Sequence, residues 1–257
     1  MGQSNTARLD PTEDLSLRLQ AAAANAYTIT VRAVETPATI GEAYRAQAGL
    51  IAQFGTRIGW KVGRKSPDVT PSCAPLFETR TYASGASVAK DTFRLWQMET
   101  EIAFRIARDL PARDEAYTRA ETMAAIGEML VCFEVIDSRF AEWPDVAPFL
   151  QLSDLMSHGG MVLGASVPFD PAFDFVGAKT NIRIGEVAAV AGAGNPAGDP
   201  LDLVAWLAAN RGLAAGDLVT TGSYTGMRAL PPGKTATGAV EGIGSVSVRR
   251  NGDASAD

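Results

Sequence analysis

Three glutamates stand where strands ordinarily place Val or Ile. Glu99 and Glu101 lie two apart in "METEIAF", and Glu134 interrupts the apolar run "MLVCFEVIDSR". On a strand, residues i and i+2 point to the same face, so the first two carboxylates stand side by side. Like charges that close repel unless a cation or a shared proton lies between them. Glu134 adds a third carboxylate in surroundings where an unpaired charge is costly. Hard oxygen ligands in that number suit Mg2+ or Mn2+, with water or substrate completing the coordination. The competing reading pairs Glu99 and Glu101 with Arg94 or Arg105 at a sheet edge. Glu134, with its apolar flanks, favours the metal.

Lys61 is the candidate cation beside them. In "RIGWKVG" its same-face strand neighbours are Gly59 and Gly63, which clear space around an ammonium able to pair with an anion or carry a proton. The plainer fate of such a lysine is a solvated head on an edge strand. His158 is the single histidine, so it cannot belong to a multi-histidine metal site, and a structural role is expected. Cys73 and Cys132 are too few for a disulfide framework and fit a reducing compartment; Cys132, inside an apolar run, reads as a buried inert thiol.

The elements that must position these groups can be read from turn and cap signals. An amphipathic helix is expected over roughly residues 13–25. A second is marked by the Thr39/Glu42 capping box and stopped by Gly55. Thr118 and Glu121 open a third that feeds straight into the strand bearing Glu134, and Asp199, Pro200 and Gly212 bound a fourth. Between them lie short β runs without βαβ alternation, which predicts an α+β fold with a mostly antiparallel core. The expected organisation is an N-terminal helical arm over 1–56, a β domain over 57–250 and a solvated tail over 251–257.

The 257 residues, 46% hydrophobic and 20% charged, suffice for a sizeable core. A net charge of −6 argues against nucleic acid or an anionic membrane as the main partner. No apolar run reaches the ~18 residues that span a bilayer, and Arg18 and Gln20 interrupt the N-terminal apolar stretch, so a cytoplasmic protein without a leader is expected. Two glycine-rich stretches are set aside as nucleotide loops. "VAGAGNPAG" has the wrong glycine spacing with Pro196 inside it, and "PPGKT" is preceded by Arg228 where a phosphate loop needs Gly.

The order "GWKVG", "METEIAF", "FEVIDSR", "SDLMSHGGMVLG", "GNP" before "VAWLA", and "AGDLVTTGSYTG" resembles the 2-keto-4-pentenoate hydratase branch of the fumarylacetoacetate hydrolase superfamily, from about residue 57 to 248. The resemblance implies a β-sandwich-like roll with flanking helices that binds Mg2+ or Mn2+ through Glu99, Glu101 and Glu134. It also implies a homo-oligomer acting on small 2-oxo or 2-hydroxy dienoic acids in aromatic-ring degradation, alone or beside a related decarboxylase or hydratase subunit. It gives Lys61 a catalytic place and sets the hydroxyls of Ser157 and Thr225 near the ligand; Asp137 and Arg139 are expected to brace the site or the strand end rather than touch substrate. The expected reaction is water addition to a 2-hydroxypenta-2,4-dienoate-like acid. Oxalocrotonate-type decarboxylation, acylpyruvate-type hydrolysis and a non-catalytic metal-binding member are the alternatives. The chain departs from the family pattern at Leu155, where Asn is usual, at Ser72, where an acidic residue is usual, and at His158, near a usually small residue. The hydrolases carry a water-activating histidine early in the chain, where this sequence has none, which weakens the hydrolase alternative.

Overall fold

The computed structural model describes residues 10–252 except Ala193; the end of the expected tail, 253–257, lies outside the described residues. In chain order the helices are α1 (Pro11–Asn25), α2 (Ile40–Phe54), α3 (Arg119–Ala125), α4 (Pro148–Ser153) and α5 (Pro200–Arg211). The strands are β1 (Arg57–Gly63), β2 (Ser72–Phe77), β3 (Thr81–Ala83), β4 (Ala86–Val88), β5 (Gln97–Ile106), β6 (Ile126–Ile136) and β7 (His158–Pro168). They continue with β8 (Thr180–Ile184), β9 (Val190–Ala191), β10 (Leu218–Ser223), β11 (Arg228–Ala229), β12 (Thr235–Val240) and β13 (Gly244–Arg250).

Two compact units emerge. The first joins the described residues up to Gly55 with Ser138–Ser157. Within it α2 packs on α1 and α4, and α1 buries Leu15, Leu19 and Ala22 along one stripe. The capping box forms as its sequence demands: the Thr39 hydroxyl accepts from the Glu42 N–H at 3.2 Å, and the Glu42 carboxylate accepts from the Thr39 N–H at 3.3 Å. Thr39→Ala removes one of these partners and is expected to lower stability by about 1 kcal/mol, seen as a lower urea midpoint at unchanged slope. In the same unit Asp154 is fully buried, and Ser138, the Arg139 backbone N–H and the Arg139 guanidinium all donate to its carboxylate. Arg139 is thus engaged in bracing this segment.

The second unit holds both sheets. The larger runs β2-β1-β10-β5-β6-β7-β3, with β11 also on β5; the smaller runs β4-β13-β12-β8-β9. Pairing is antiparallel except for β1 with β10, β3 with β7 and β4 with β13. The sheets meet face to face. Gly238 on β12 sits so close to β5 and β6 that an added Cβ would lie 2.7 Å from the Phe133 ring and 2.8 Å from the Thr100 hydroxyl. One face of the large sheet, carrying Thr100, Ile102, Phe104, Val131, Phe133 and Val135, is therefore core. The α+β β-sandwich roll expected from sequence is the fold observed.

Candidate functional site

The opposite face of the large sheet carries the carboxylates. β5 and β6 pair in a register that puts Glu99 across from Glu134 and Glu101 across from Cys132. Paired residues share a face, so Glu134 joins the pair that the i, i+2 spacing already set. Carboxylate oxygens of the three lie within 4.8 Å of one another. On the same face β10 places Thr220 across from Ala103, and β1 places Lys61 beside Thr220. On the same face Leu76, Ala103, Leu130, Cys132, Met161 and Leu218 form a buried apolar patch beside them, Cys132 across from Glu101 and Met161 across from Glu134, which lowers the local dielectric.

One oxygen receives two polar contacts. Oε1 of Glu134 lies 2.6 Å from Lys61 Nζ and 2.8 Å from His158 Nδ1. Glu101 accepts from the Gly222 N–H at 3.2 Å, and the Ser223 hydroxyl on the same strand end favours the ionised form of Glu99. Gly222 has φ +99°, a conformation that favours glycine and turns its N–H toward the carboxylate. Asn195 of the "GNP" turn holds this strand end, donating to the Thr221 carbonyl at 2.7 Å and accepting from the Ala197 N–H at 2.9 Å. The loop set aside as a nucleotide motif is a brace for β10.

Electrostatics follow from this geometry. Burial, then the charge of Glu134, pushes the Glu99 carboxyl up to about 7. Burial, then Glu134 and Glu99, pushes Glu101 up to about 8. Burial acts on Glu134 in the same sense, but the Lys61 charge and the hydrogen bond from His158 outweigh it and hold Glu134 below the ordinary carboxylate range. Without a cation the cluster therefore keeps one firm anion and two carboxyls that retain protons near neutrality. Three convergent oxygen donors, two of them able to release a proton to an incoming charge, fit a hard divalent ion.

The structure brings together Lys61, Glu99, Glu101 and Glu134. Thr225, in the turn after β10, accepts from the Thr100 N–H at 3.1 Å and donates to the Gly226 carbonyl at 3.2 Å, so its hydroxyl is engaged by backbone. Ser157 belongs to the helical unit, where its hydroxyl accepts from Trp143 Nε1 at 3.1 Å. It ends a run of three left-handed residues, Leu155, Met156 and Ser157, at φ of 55°, 54° and 59°. Asp137 accepts from the Arg94 and Leu95 N–H groups, each at 3.2 Å. Arg105, the sequence alternative as a partner for the glutamates, lies 3.4 Å from Glu128 instead.

Sequence reasoning missed two contacts. His158 was expected in a structural role, yet its ring nitrogen reaches Glu134; Ser223 was passed over for Thr225. The signal for both lies in cross-strand register, which pairs Ser223 with Glu101 and sets His158 beside the end of β6. The role of Gly59 also differs from the expectation. An added Cβ would lie 1.8 Å from the Leu218 carbonyl oxygen, so this glycine admits close approach of β1 to β10, while Gly63 does face open space.

Comparison with known proteins agrees with this architecture. The family model for fumarylacetoacetate (FAA) hydrolase, C-terminal, matches residues 39–249. A 2-keto-4-pentenoate hydratase of Paraburkholderia phymatum is 31% identical over 252 residues, covering 91% of this chain and 95% of that protein. A 2-hydroxyhexa-2,4-dienoate hydratase of Comamonas testosteroni is 28% identical over 207 residues, covering 75% of this chain and 77% of its own length. Among solved structures, the 4-oxalocrotonate decarboxylase from Pseudomonas putida G7, complexed with magnesium and adipate, superposes with a TM-score of 0.82 at 24% identity, covering 93% of this chain and 97% of that one. With the matched region running from residue 39 into the last strand and taking in the whole carboxylate cluster, the chain belongs to the fumarylacetoacetate hydrolase C-terminal family.

Proposed function

We propose that the protein is a divalent-metal-dependent hydro-lyase that adds water to a short unsaturated 2-hydroxy or 2-oxo dienoic acid, of the kind met in aromatic catabolism. The observation that carries the reading is the convergence of Glu99, Glu101 and Glu134 on one point, with Lys61 anchored at its edge. The hydratase names of its relatives at about 30% identity give the reaction class.

In this reading Glu99, Glu101 and Glu134 hold Mg2+ or Mn2+. Such an ion, when bound, supplies Lewis-acid stabilisation of negative charge developing on a 2-oxo acid. The chain's own groups do the rest. Lys61, which is 8% exposed, keeps a proton-bearing nitrogen at the cluster, where it holds the substrate's anionic end or passes a proton to the reacting carbon. Glu134 fixes the direction of that ammonium at 2.6 Å. The Gly222 N–H orients Glu101. The apolar side chains around the cluster, with Cys132 across from Glu101 and Met161 across from Glu134, keep the local dielectric low and strengthen these contacts. Thr225 enters this reading at one remove, by securing the turn that carries Ser223.

The test uses chelator-treated protein and 2-hydroxypenta-2,4-dienoate, with Mg2+ or Mn2+ added back. The expected result is metal-dependent loss of the conjugated chromophore and formation of 4-hydroxy-2-oxopentanoate. Turnover undiminished in metal-free buffer overturns the mechanism. Release of CO2 from an oxalocrotonate-like diacid, without hydration, replaces the hydratase reading with the decarboxylase one. The homo-oligomer that belongs to this reading is checked by light scattering on the purified chain.

A further inference from the structure

We infer that His158 is a positioning residue that makes Glu134 a one-oxygen ligand, and so biases the cluster toward a small octahedral ion and away from Ca2+. The inference deepens the metal reading above and rests on it. Oε1 of Glu134 receives Lys61 Nζ at 2.6 Å and His158 Nδ1 at 2.8 Å. An ionised carboxylate oxygen has two lone pairs and accepts only, so Nδ1 is the protonated nitrogen and both lone pairs of Oε1 are committed. Oε2 alone remains to be offered to a cation.

That restriction falls unequally on different ions. Ca2+ gathers about six to eight oxygens in flexible geometry and commonly takes carboxylates through both oxygens, whereas Mg2+ takes about six single-oxygen ligands in a tight octahedron. A carboxylate with one oxygen already occupied withholds a contact Ca2+ uses and costs Mg2+ nothing. Second partners of this kind orient ligands and shift metal affinity by roughly 10–100-fold.

The backbone holds the imidazole to this task. His158 opens β7 and is buried, and the two residues after it are pressed against their neighbours. A Cβ on Gly159 would lie 2.7 Å from the Asp137 Cβ and 2.8 Å from the Val135 carbonyl oxygen; one on Gly160 would lie 2.7 Å from the Arg80 carbonyl oxygen. This packing fixes the start of β7, the backbone from which the ring nitrogen reaches Oε1. Lys61 supplies the other donor, but its long stem and its place in the proposed chemistry make His158 the residue whose removal isolates the effect.

The experiment is calorimetric titration of MgCl2 and of CaCl2 into chelator-treated wild type, His158→Ala, His158→Asn and His158→Gln, without substrate and at one pH. His158→Ala is expected to move the ratio of the two dissociation constants toward Ca2+ by about tenfold. His158→Asn, whose amide nitrogen takes the place of Nδ1, is expected to keep the wild-type ratio. His158→Gln, whose nitrogen sits further out, is expected to follow alanine, and it carries the comparison if the alanine variant does not fold. An unchanged ratio in the alanine or glutamine variant overturns the inference while leaving the metal site intact. Failure of wild type to bind either ion overturns the metal reading itself.

Discussion

Glu134→Gln is expected to reduce Mg2+ affinity and turnover together by roughly a thousandfold, about 4 kcal/mol. The substitution preserves shape and volume, so what changes is charge. Glu134 is the one member of the cluster held below the ordinary carboxylate range, and hence the one already ionised when a cation arrives. It is also the anchor for Lys61 and His158, both on Oε1. An amide there leaves the buried Lys61 ammonium without its charged partner, and breaking one side of a buried pair costs about 3–5 kcal/mol of stability. Glu99→Gln should weaken binding less, since that side chain, raised to about 7, carries only part of a negative charge near neutrality before the ion arrives. Calorimetry for Mg2+ and the dienoate chromophore assay read the two effects separately. A Glu134→Gln protein that binds Mg2+ within about threefold of wild type sinks the assignment.

The second large effect is one of pH. Glu99 and Glu101, raised to about 7 and about 8, hold protons in the folded metal-free protein that the unfolded chain gives up near the ordinary glutamate value of 4.5. Between those limits the native state binds more protons than the unfolded state, so stability falls as pH rises. The stability these groups contribute is fully present below about 4.5 and is lost as pH climbs through 7 and 8. Glu134, lowered, acts in the opposite sense, and only where pH falls below its ordinary range. A tenfold difference in proton affinity between the folded and unfolded states is worth about 1.4 kcal/mol, so the loss is a sizeable part of a typical stability of about 5–15 kcal/mol. The melting temperature of chelator-treated protein should drop markedly from about pH 5 to about pH 9, and added Mg2+ should flatten the profile. Binding should release about two protons per ion near pH 6 and few near pH 9, measured by calorimetry in buffers of different ionisation enthalpy. Proton release that does not change with pH contradicts the shared-proton picture of the cluster.

Much of this was legible in the sequence because its signals are local. The Thr39/Glu42 and Thr118/Glu121 boxes and the Asp199–Pro200 start with its Gly212 stop involve groups only a few residues apart, and each forms as read. The spacing of Glu99 and Glu101 puts two carboxylates on one face in any strand, whatever surrounds it. Glu134 was legible for a different reason, since an acid inside an apolar run needs a partner wherever the run is buried.

Contacts that depend on register were not legible. Nothing in "SDLMSHGG" says that His158 lies beside the end of β6 rather than one residue away on the other face, yet a one-residue slip would turn its ring from the carboxylates. The same holds for Ser223 against Thr225, neighbours two apart in one turn region. A break in the β10–β5 register between Thr220 and Ser223 brings Ser223 to Glu101, and Thr225 is left to the Thr100 backbone. Gly59 was credited with clearing space for a side chain, when the contact that requires it comes from Leu218, on a strand far along the chain. That Ser138–Ser157 joins the N-terminal helices is likewise a fact of tertiary contact alone.

The sequence by itself determined the fold class, the caps of α2, α3 and α5, the family and the carboxylate set, because periodicity, capping and charge burial act through nearest neighbours or through motif order. Only the tertiary structure decided which groups meet those carboxylates: Lys61 and His158 on one oxygen of Glu134, and the Gly222 N–H on Glu101. Each of those contacts joins residues on separate strands, and strand pairing, not composition, sets which atoms fall within hydrogen-bond reach.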